Sequence, residues 1–203
     1  LGTVSIDATK TLTALASQIT GKTVDGAGSL IVEALAADSN LTNVNPDGGV
    51  TALVELDRDV TANNNLGNVD TYTVSSSKTL TATAEQIDGK TVNGDGSLTV
   101  NGTAVGTTNL SNLSADTVDI TAADLTADAV TWMTVAAGDE LRLTSAQATT
   151  QTIAAATDAT AVITVTGLAA DANLANVGNA TATVNALVEL DRDVTANNNL
   201  GNV

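Results

Sequence analysis

The chain is 203 residues long and carries a formal charge of −16, from 23 acidic and 7 basic residues. That balance excludes nucleic acid as a partner, because phosphate binding needs clustered Lys and Arg, and it disfavours an anionic membrane surface. With no Cys and no His there can be no disulfide, thiolate metal site or Ser-His or Cys-His nucleophile, and the commonest general base is missing.

Along the chain, short segments rich in Val, Ile, Leu and Thr alternate with Gly, Asn and Asp. The opening Leu1-Gly2-Thr3-Val4 lacks an initiator Met and a signal-peptide pattern. Lys10 to Leu30 follows, containing an alanine-rich run at Ala14–Ile19 long enough for one helical turn and ending near the turn signal Asp25-Gly26. Asp47-Gly48-Gly49 marks the next turn, before Ala52 to Val69 (ALVELDRDVTANNNLGNV). Beyond it, Ser97–Asn101, Thr117–Ile120, Leu141–Thr144 and Val162–Thr166 each read as a strand with aliphatic residues on one face. Asn93-Gly94-Asp95-Gly96 and Asn101-Gly102 are read as turns, and Ala122–Ala129 as a further single helical turn. Scattered Thr argues against longer helices. No stretch approaches the roughly 20 apolar residues of a membrane-spanning helix, so no membrane insertion is expected in this segment.

Repetition dominates this pattern. Ala52–Val69 and Ala186–Val203 are identical over 18 residues at an offset of 134, and Leu35–Val44 resembles Leu168–Val177. Lys10–Leu30 (KTLTALASQITGKTVDGAGSL) aligns without gaps to Lys78–Leu98 (KTLTATAEQIDGKTVNGDGSL), an offset of 68. A fainter copy begins at Leu141, so the copies start at Leu12, Leu80 and Leu141, spaced by 68 and then 61. The expected units are 1–65, 66–134 and 135–203. Both termini fall at equivalent points of the unit, which suggests a piece cut in phase from a longer array.

Hydrophobic residues make up 43% of the chain, yet it has no Phe, one Trp (Trp132), one Tyr (Tyr72) and one Met (Met133). A compact globule fills the space between its layers with rings; an aliphatic interior suits a slim, repetitive structure. The expected fold is therefore all-β, an elongated tandem-repeat parallel β-solenoid. At about 20 residues per coil, a unit supplies roughly three coils. The alternative, a string of small β-sandwiches, conflicts with units shorter than the usual sandwich of about 100 residues and with the scarcity of rings. The segment TLTATAEQIDGKTVNGDGSLTVNG at Thr79–Gly102 resembles repeats of very large bacterial surface proteins: repeat-rich adhesins, haemagglutinin-like exoproteins and some surface-layer proteins. The resemblance covers Lys10–Leu30, Lys78–Gly102 and, faintly, Leu141–Thr166. It implies a secreted or cell-surface protein that works by extent, adhesion or lattice formation, and it carries over no site residue.

Little in the chain suggests chemistry. Ser75-Ser76-Ser77-Lys78 places Ser-Lys types together, but the sister unit has Asp7-Ala8-Thr9-Lys10, so a turn is the better reading. Gly94-Asp95-Gly96 would repel phosphate through its Asp. No enzyme is expected. The densest acidic motif is Glu55-Leu56-Asp57-Arg58-Asp59, repeated as Glu189-Leu190-Asp191-Arg192-Asp193. On a strand, Glu55, Asp57 and Asp59, and likewise Glu189, Asp191 and Asp193, would share one face, and calcium would relieve their repulsion. The competing reading is a solvated turn in which Arg58 pairs with a neighbouring carboxylate. Asn63-Asn64-Asn65 offers carbonyl ligands, or a stacked Asn ladder at a solenoid corner. Trp132-Met133 would either anchor self-association or plug a gap where the unit spacing changes, the plug being the favoured reading. The function expected is structural: a repeat segment of an extracellular filament, sheath or surface layer whose partner is itself. The alternative is the stalk of a bacterial adhesin that displays a distal binding domain.

Overall fold

A computed structural model describes residues 2–45, 49–62, 66–103, 106–125, 129–149, 151–156, 160–178 and 185–189. Its strands in chain order are β1 (Thr3–Ile6), β2 (Thr11–Leu15), β3 (Thr23–Gly26), β4 (Ser29–Glu33), β5 (Thr51–Leu56), β6 (Val60–Thr61), β7 (Thr71–Val74) and β8 (Thr79–Thr83). They continue with β9 (Thr91–Thr103), β10 (Thr107–Asn109), β11 (Leu113–Asp124), β12 (Ala129–Thr131), β13 (Glu140–Thr144), β14 (Val162–Thr166) and β15 (Asn185–Glu189). Three single-turn helices interrupt them: α1 (Ala16–Ile19), α2 (Ala84–Ile87) and α3 (Ser145–Ala148).

Every strand pairing is parallel, and the main sheet runs β15-β14-β13-β11-β9-β7-β5-β4-β2, with β6 and β8 alongside. Parallel pairing needs a crossover between neighbours, and here each crossover is one coil. A step along the sheet advances the chain by between 18 residues (Thr11 to Ser29) and 23 (Val118 to Leu141). The result is a β-solenoid of about 7 turns. Antiparallel sandwiches are thereby excluded.

Alternation along each strand turns its aliphatic side chains into the interior, where they stack on those of neighbouring coils as ladders. Leu80, Leu98, Val118, Leu141 and Ile163 stand in register on consecutive rungs, each at most 1% exposed. A second ladder runs Val54, Tyr72, Val92, Leu113. Each such burial contributes about 1.5–3 kcal/mol. Tyr72 is the one ring wholly inside, and its hydroxyl donates to the Leu66 carbonyl at 3.0 Å. Burial, and secondarily the charge of Asp70, pushes the phenol well above its ordinary pKa.

The repeat offsets fall on whole coils. From Leu12 the path β2, β4, the β5–β6 coil and β8 reaches Leu80 in three steps. From Leu80 the path β8, β9, β11 and β13 reaches Leu141 in three more. The unequal spacings of 68 and 61 residues therefore span the same number of rungs, and the difference is absorbed in coil length. All three helical turns follow these equivalent strands. The turn expected at Ala14–Ile19 forms as α1. The one expected at Ala122–Ala129 is not observed where the chain is described: Ala122–Asp124 close β11, where bonding to Asn101–Thr103 of β9 extends the ladder, and 126–128 lie outside the described residues.

Candidate interaction surfaces

The acidic motif of the first copy divides among three environments. β5 ends at Leu56 because Ala52, Val54 and Leu56 point inward and the chain then bends, leaving Arg58 at the surface. The arginine, awkward on an extended strand, thus never enters the interior. Its Nε donates to Asp57 Oδ1 at 2.9 Å and its Nη2 to Asp57 Oδ2 at 3.2 Å, and this pair lowers the Asp57 pKa. Asp59 turns to the next coil, where its Oδ1 accepts the Thr79 N–H at 2.8 Å. Glu55 remains on the outer face of β5. Among the described residues no three acidic groups converge as a metal site would require. In the second copy only the main chain of Glu189 at the end of β15 is described; Asp191 and Asp193 lie outside the described residues, as does the Asn63–Asn65 triplet.

Met133 is 1% exposed and belongs to the core, whereas Trp132 lies half-buried against it. The indole Nε1 donates to Gln151 Oε1 on the following coil at 3.0 Å. Ser75–Lys78 forms a tight turn closed by the Lys78 N–H on the Ser75 carbonyl at 3.0 Å. At Gly94 the β9 strand bends against the Val74 carbonyl, where no Cβ would fit.

Two recurrent corners lie between the strands. The first is the helical turn. In each of the three, a Gln at the third helical position reaches back: Leu15, Thr83 and Thr144 donate their N–H to Gln18, Gln86 and Gln147 Oε1 at 2.9, 2.8 and 2.7 Å. Gln86 Nε2 also donates to the Ala62 carbonyl at 3.1 Å, and Gln147 Nε2 to Ile120 and Ala123 at 2.8 and 2.6 Å. At Gln86 and Gln147 the side chain thus caps its own turn and ties it to the preceding coil. Thr-x-x-Gln is a legible capping box, so this corner was open to sequence reading at Thr83 and Thr144.

The second corner has the sequence Asn-Leu-x-Asn-Val/Leu, which occurs at Asn40–Val44, Asn65–Val69, Asn109–Leu113 and Asn173–Val177 and again at Asn199–Val203, outside the described residues. Where described, its Leu and its final aliphatic residue are buried. Asn40, Asn109 and Asn173 each accept the N–H two residues on through Oδ1, at 3.0, 3.0 and 3.2 Å. Such Asx turns relieve the backbone where a strand cannot continue. The main-chain carbonyls of Asn40 and Asn43 accept from Gly21 and Val24, both at 3.1 Å, and those of Asn109 and Asn112 from Gly89 and Val92 at 2.9 and 3.3 Å.

Beside α2 opens a polar cleft of about 680 Å³, lined in part by Thr61, Glu85, Gln86, Asp88 and Lys90. Lys90 is its cation. Burial lowers the Lys90 pKa while Asp70 opposes the shift, and Nζ donates to the Gly67 and Val69 carbonyls at 2.8 and 3.1 Å. The ammonium is thereby committed to the chain itself.

The sheet positions that alternate with the core ladders repeat as well. Thr79, Ser97, Thr117 and Glu140 form one column, and Thr81, Thr99, Asp119 and Arg142 its neighbour, which ends on the buried Thr164. Arg142 approaches Glu140 at 3.3 Å and Asp119 at 3.9 Å, and Thr164 Oγ1 donates to Glu140 at 2.6 Å. No protein-family model, curated protein or solved structure matches the chain.

Proposed function

We propose that the chain is a rod-forming segment of a secreted or cell-surface structural protein, assembling with copies of itself into a filament, sheath or surface layer. The observation that carries this reading is the coincidence of repeat offset and coil number: each recurrence of the Leu12 motif lies three rungs further on. An array built this way lengthens without disturbing the hydrogen-bond ladder or the aliphatic interior, which is what selection for extent requires. The Thr- and Ser-rich stretch of the outer columns, at Thr79, Ser97, Thr117, Thr81 and Thr99, suits lateral contact over length better than capture of one small ligand. This reading assigns no catalysis to the chain.

One observation favours the adhesin stalk instead. A charge of −16 on 203 residues makes neighbouring rods repel, which suits isolated stalks. Calcium bridging acidic rods would remove that objection to assembly. Electron microscopy of the native protein with and without a calcium chelator separates the two readings. Ordered filaments or sheets support self-assembly, and their dispersal by chelator assigns the bridging to the cation. Single rods without mutual order under both conditions overturn self-assembly in favour of the stalk.

A further inference from the structure

Two of the Asn-Leu-x-Asn sequences carry a hydroxyl where the corner itself does not need one. The third residue is Thr42 after Asn40 and Ser111 after Asn109, but Gly67, Ala175 and Gly201 in the other three copies of the sequence. The Asx bond forms equally with Ala175, at 3.2 Å. The turn therefore forms without a hydroxyl at this place, and the hydroxyl converts it into Asn-x-Ser/Thr, the acceptor sequence for N-linked glycan.

We propose that Asn109 and Asn40 are attachment sites for an N-linked oligosaccharide. The proposal rests on export of the chain, since the donor is a lipid-pyrophosphate-linked sugar delivered outside the cytoplasm. Both asparagines are exposed, and their carboxamide oxygens are engaged from within the turn. At Asn109 the Ser111 hydroxyl also donates to Oδ1, at 2.7 Å. Two donors on the oxygen draw electron density from the amide and ease loss of an Nδ2 proton. In the transfer, Nδ2 bonds to the anomeric carbon, the anomeric C–O bond to the lipid pyrophosphate breaks, and the pyrophosphate leaves with that electron pair. The Nδ2 proton passes to a base of the transferring enzyme.

The same geometry discriminates against the other two described sequons. Asn101 sits half-buried within β9, in register with Thr83 on one side and Ala122 on the other. Asn112 is exposed, but its Nδ2, the atom that would take the sugar, is turned back toward the Gly89 carbonyl of the neighbouring coil at 3.5 Å. A glycan at Asn40 and Asn109 would stand on one corner of the rod, three rungs apart on the ladder that carries Leu12 and Leu80, leaving the Thr-rich columns free for contact.

The test uses full-length native protein from its own cells, with peptide fragmentation that assigns added mass to single residues, and surface proteolysis of intact cells to establish location. Glycan mass at Asn40 and Asn109, absent from Asn101 and Asn112, is the expected result. Ser111→Ala should abolish it at Asn109 alone, with circular dichroism unchanged because Ala175 already occupies the same place in a sister corner. Surface-exposed protein bare at both sites overturns the proposal and leaves the rod reading standing. Protein retained inside the cell overturns export, and the proposal with it. Modification that persists at Asn109 in Ser111→Ala, or that falls on Asn101 or Asn112 instead, also overturns it.

Discussion

Asn45 and Asn68, on adjacent coils, bond each other reciprocally: Asn45 Nδ2 donates to the Asn68 carbonyl at 3.2 Å, and Asn68 Nδ2 to the Asn45 carbonyl at 3.0 Å. The two are not equivalent. Asn45 is 2% exposed, and its Oδ1 also accepts the buried Val50 N–H at 2.8 Å, whereas Asn68 is exposed. Asn45→Ala should cost about 2–3 kcal/mol, because a buried donor loses its partner. Asn68→Ala should cost about 0.5–1 kcal/mol, since water replaces what it loses. Denaturant melts of the two variants decide the matter, and equal losses would contradict the asymmetry.

The Gln staple makes a similar contrast. Gln147 is 4% exposed and serves Thr144, Ile120 and Ala123 at once, while Gln18 is exposed. Gln147→Ala should destabilise by about 2–4 kcal/mol and Gln18→Ala by about 0.5–1 kcal/mol, as comparison of their melting curves will show. Gln147→Glu should be worse than alanine at neutral pH, since it points an anion at two carbonyls. It should recover on acidification, when the protonated acid regains a donor.

The solenoid was legible because its signals are periodic and redundant. Alternating Val, Leu and Thr set the strands, and the 68- and 61-residue offsets followed from repeated coils. The reciprocal Asn45–Asn68 bond was not legible: it depends on a buried Asn45 oxygen and a positive φ of 53° that fix the corner. Neither condition is written in composition. The acidic motif left two readings open, three carboxylates along one strand face or a turn in which Arg58 pairs with a carboxylate; β5 ends at inward Leu56, and Arg58 pairs with Asp57 beyond it. The Asn-Leu-x-Asn corner was visible in the sequence, but its uneven spacing hid it behind the longer repeats.

Asp139 gives a pH test with a definite sign. Burial, and then the charge of Asp116, raises its pKa above the ordinary 3.8. The folded state therefore holds this proton more tightly than the unfolded chain, and the associated stability is lost as pH rises through the raised value. Asp139→Asn should match the wild type below pH 3.8 and exceed it at neutral pH by a few tenths of a kcal/mol, about the scale of a partly screened charge. Melting curves at both ends of that window check the sign.

Gly67 and Gly89 share a positive φ, 67° and 68°, but not their surroundings. A Cβ on Gly67 would meet the Leu41 carbonyl of the coil below, whereas nothing lies within 4 Å of one on Gly89. Gly89→Ala should cost only the backbone strain, about 1 kcal/mol. Gly67→Ala must also push neighbouring coils apart, adding about 1–3 kcal/mol of overpacking. If both variants melt alike, the coils do not approach as closely as the ladder requires.

Tyr72, the chain's one tyrosine, reports on the interior directly. Its phenol is wholly buried, donates to Leu66 and is held well above its ordinary pKa of 10.0. The native state keeps the proton that the unfolded chain gives up, so stability must fall as pH rises beyond 10.0. In an alkaline titration the phenolate absorbance should therefore appear together with the loss of circular dichroism, as a single cooperative step. Tyr72→Phe should lose about 1 kcal/mol at neutral pH through the missing hydrogen bond and should also lose some of this alkaline sensitivity. A phenolate signal that titrates smoothly while the β-sheet spectrum persists would mean that the ring is open to water. The ladder from Val54 through Tyr72 to Val92 would then be breached at its centre.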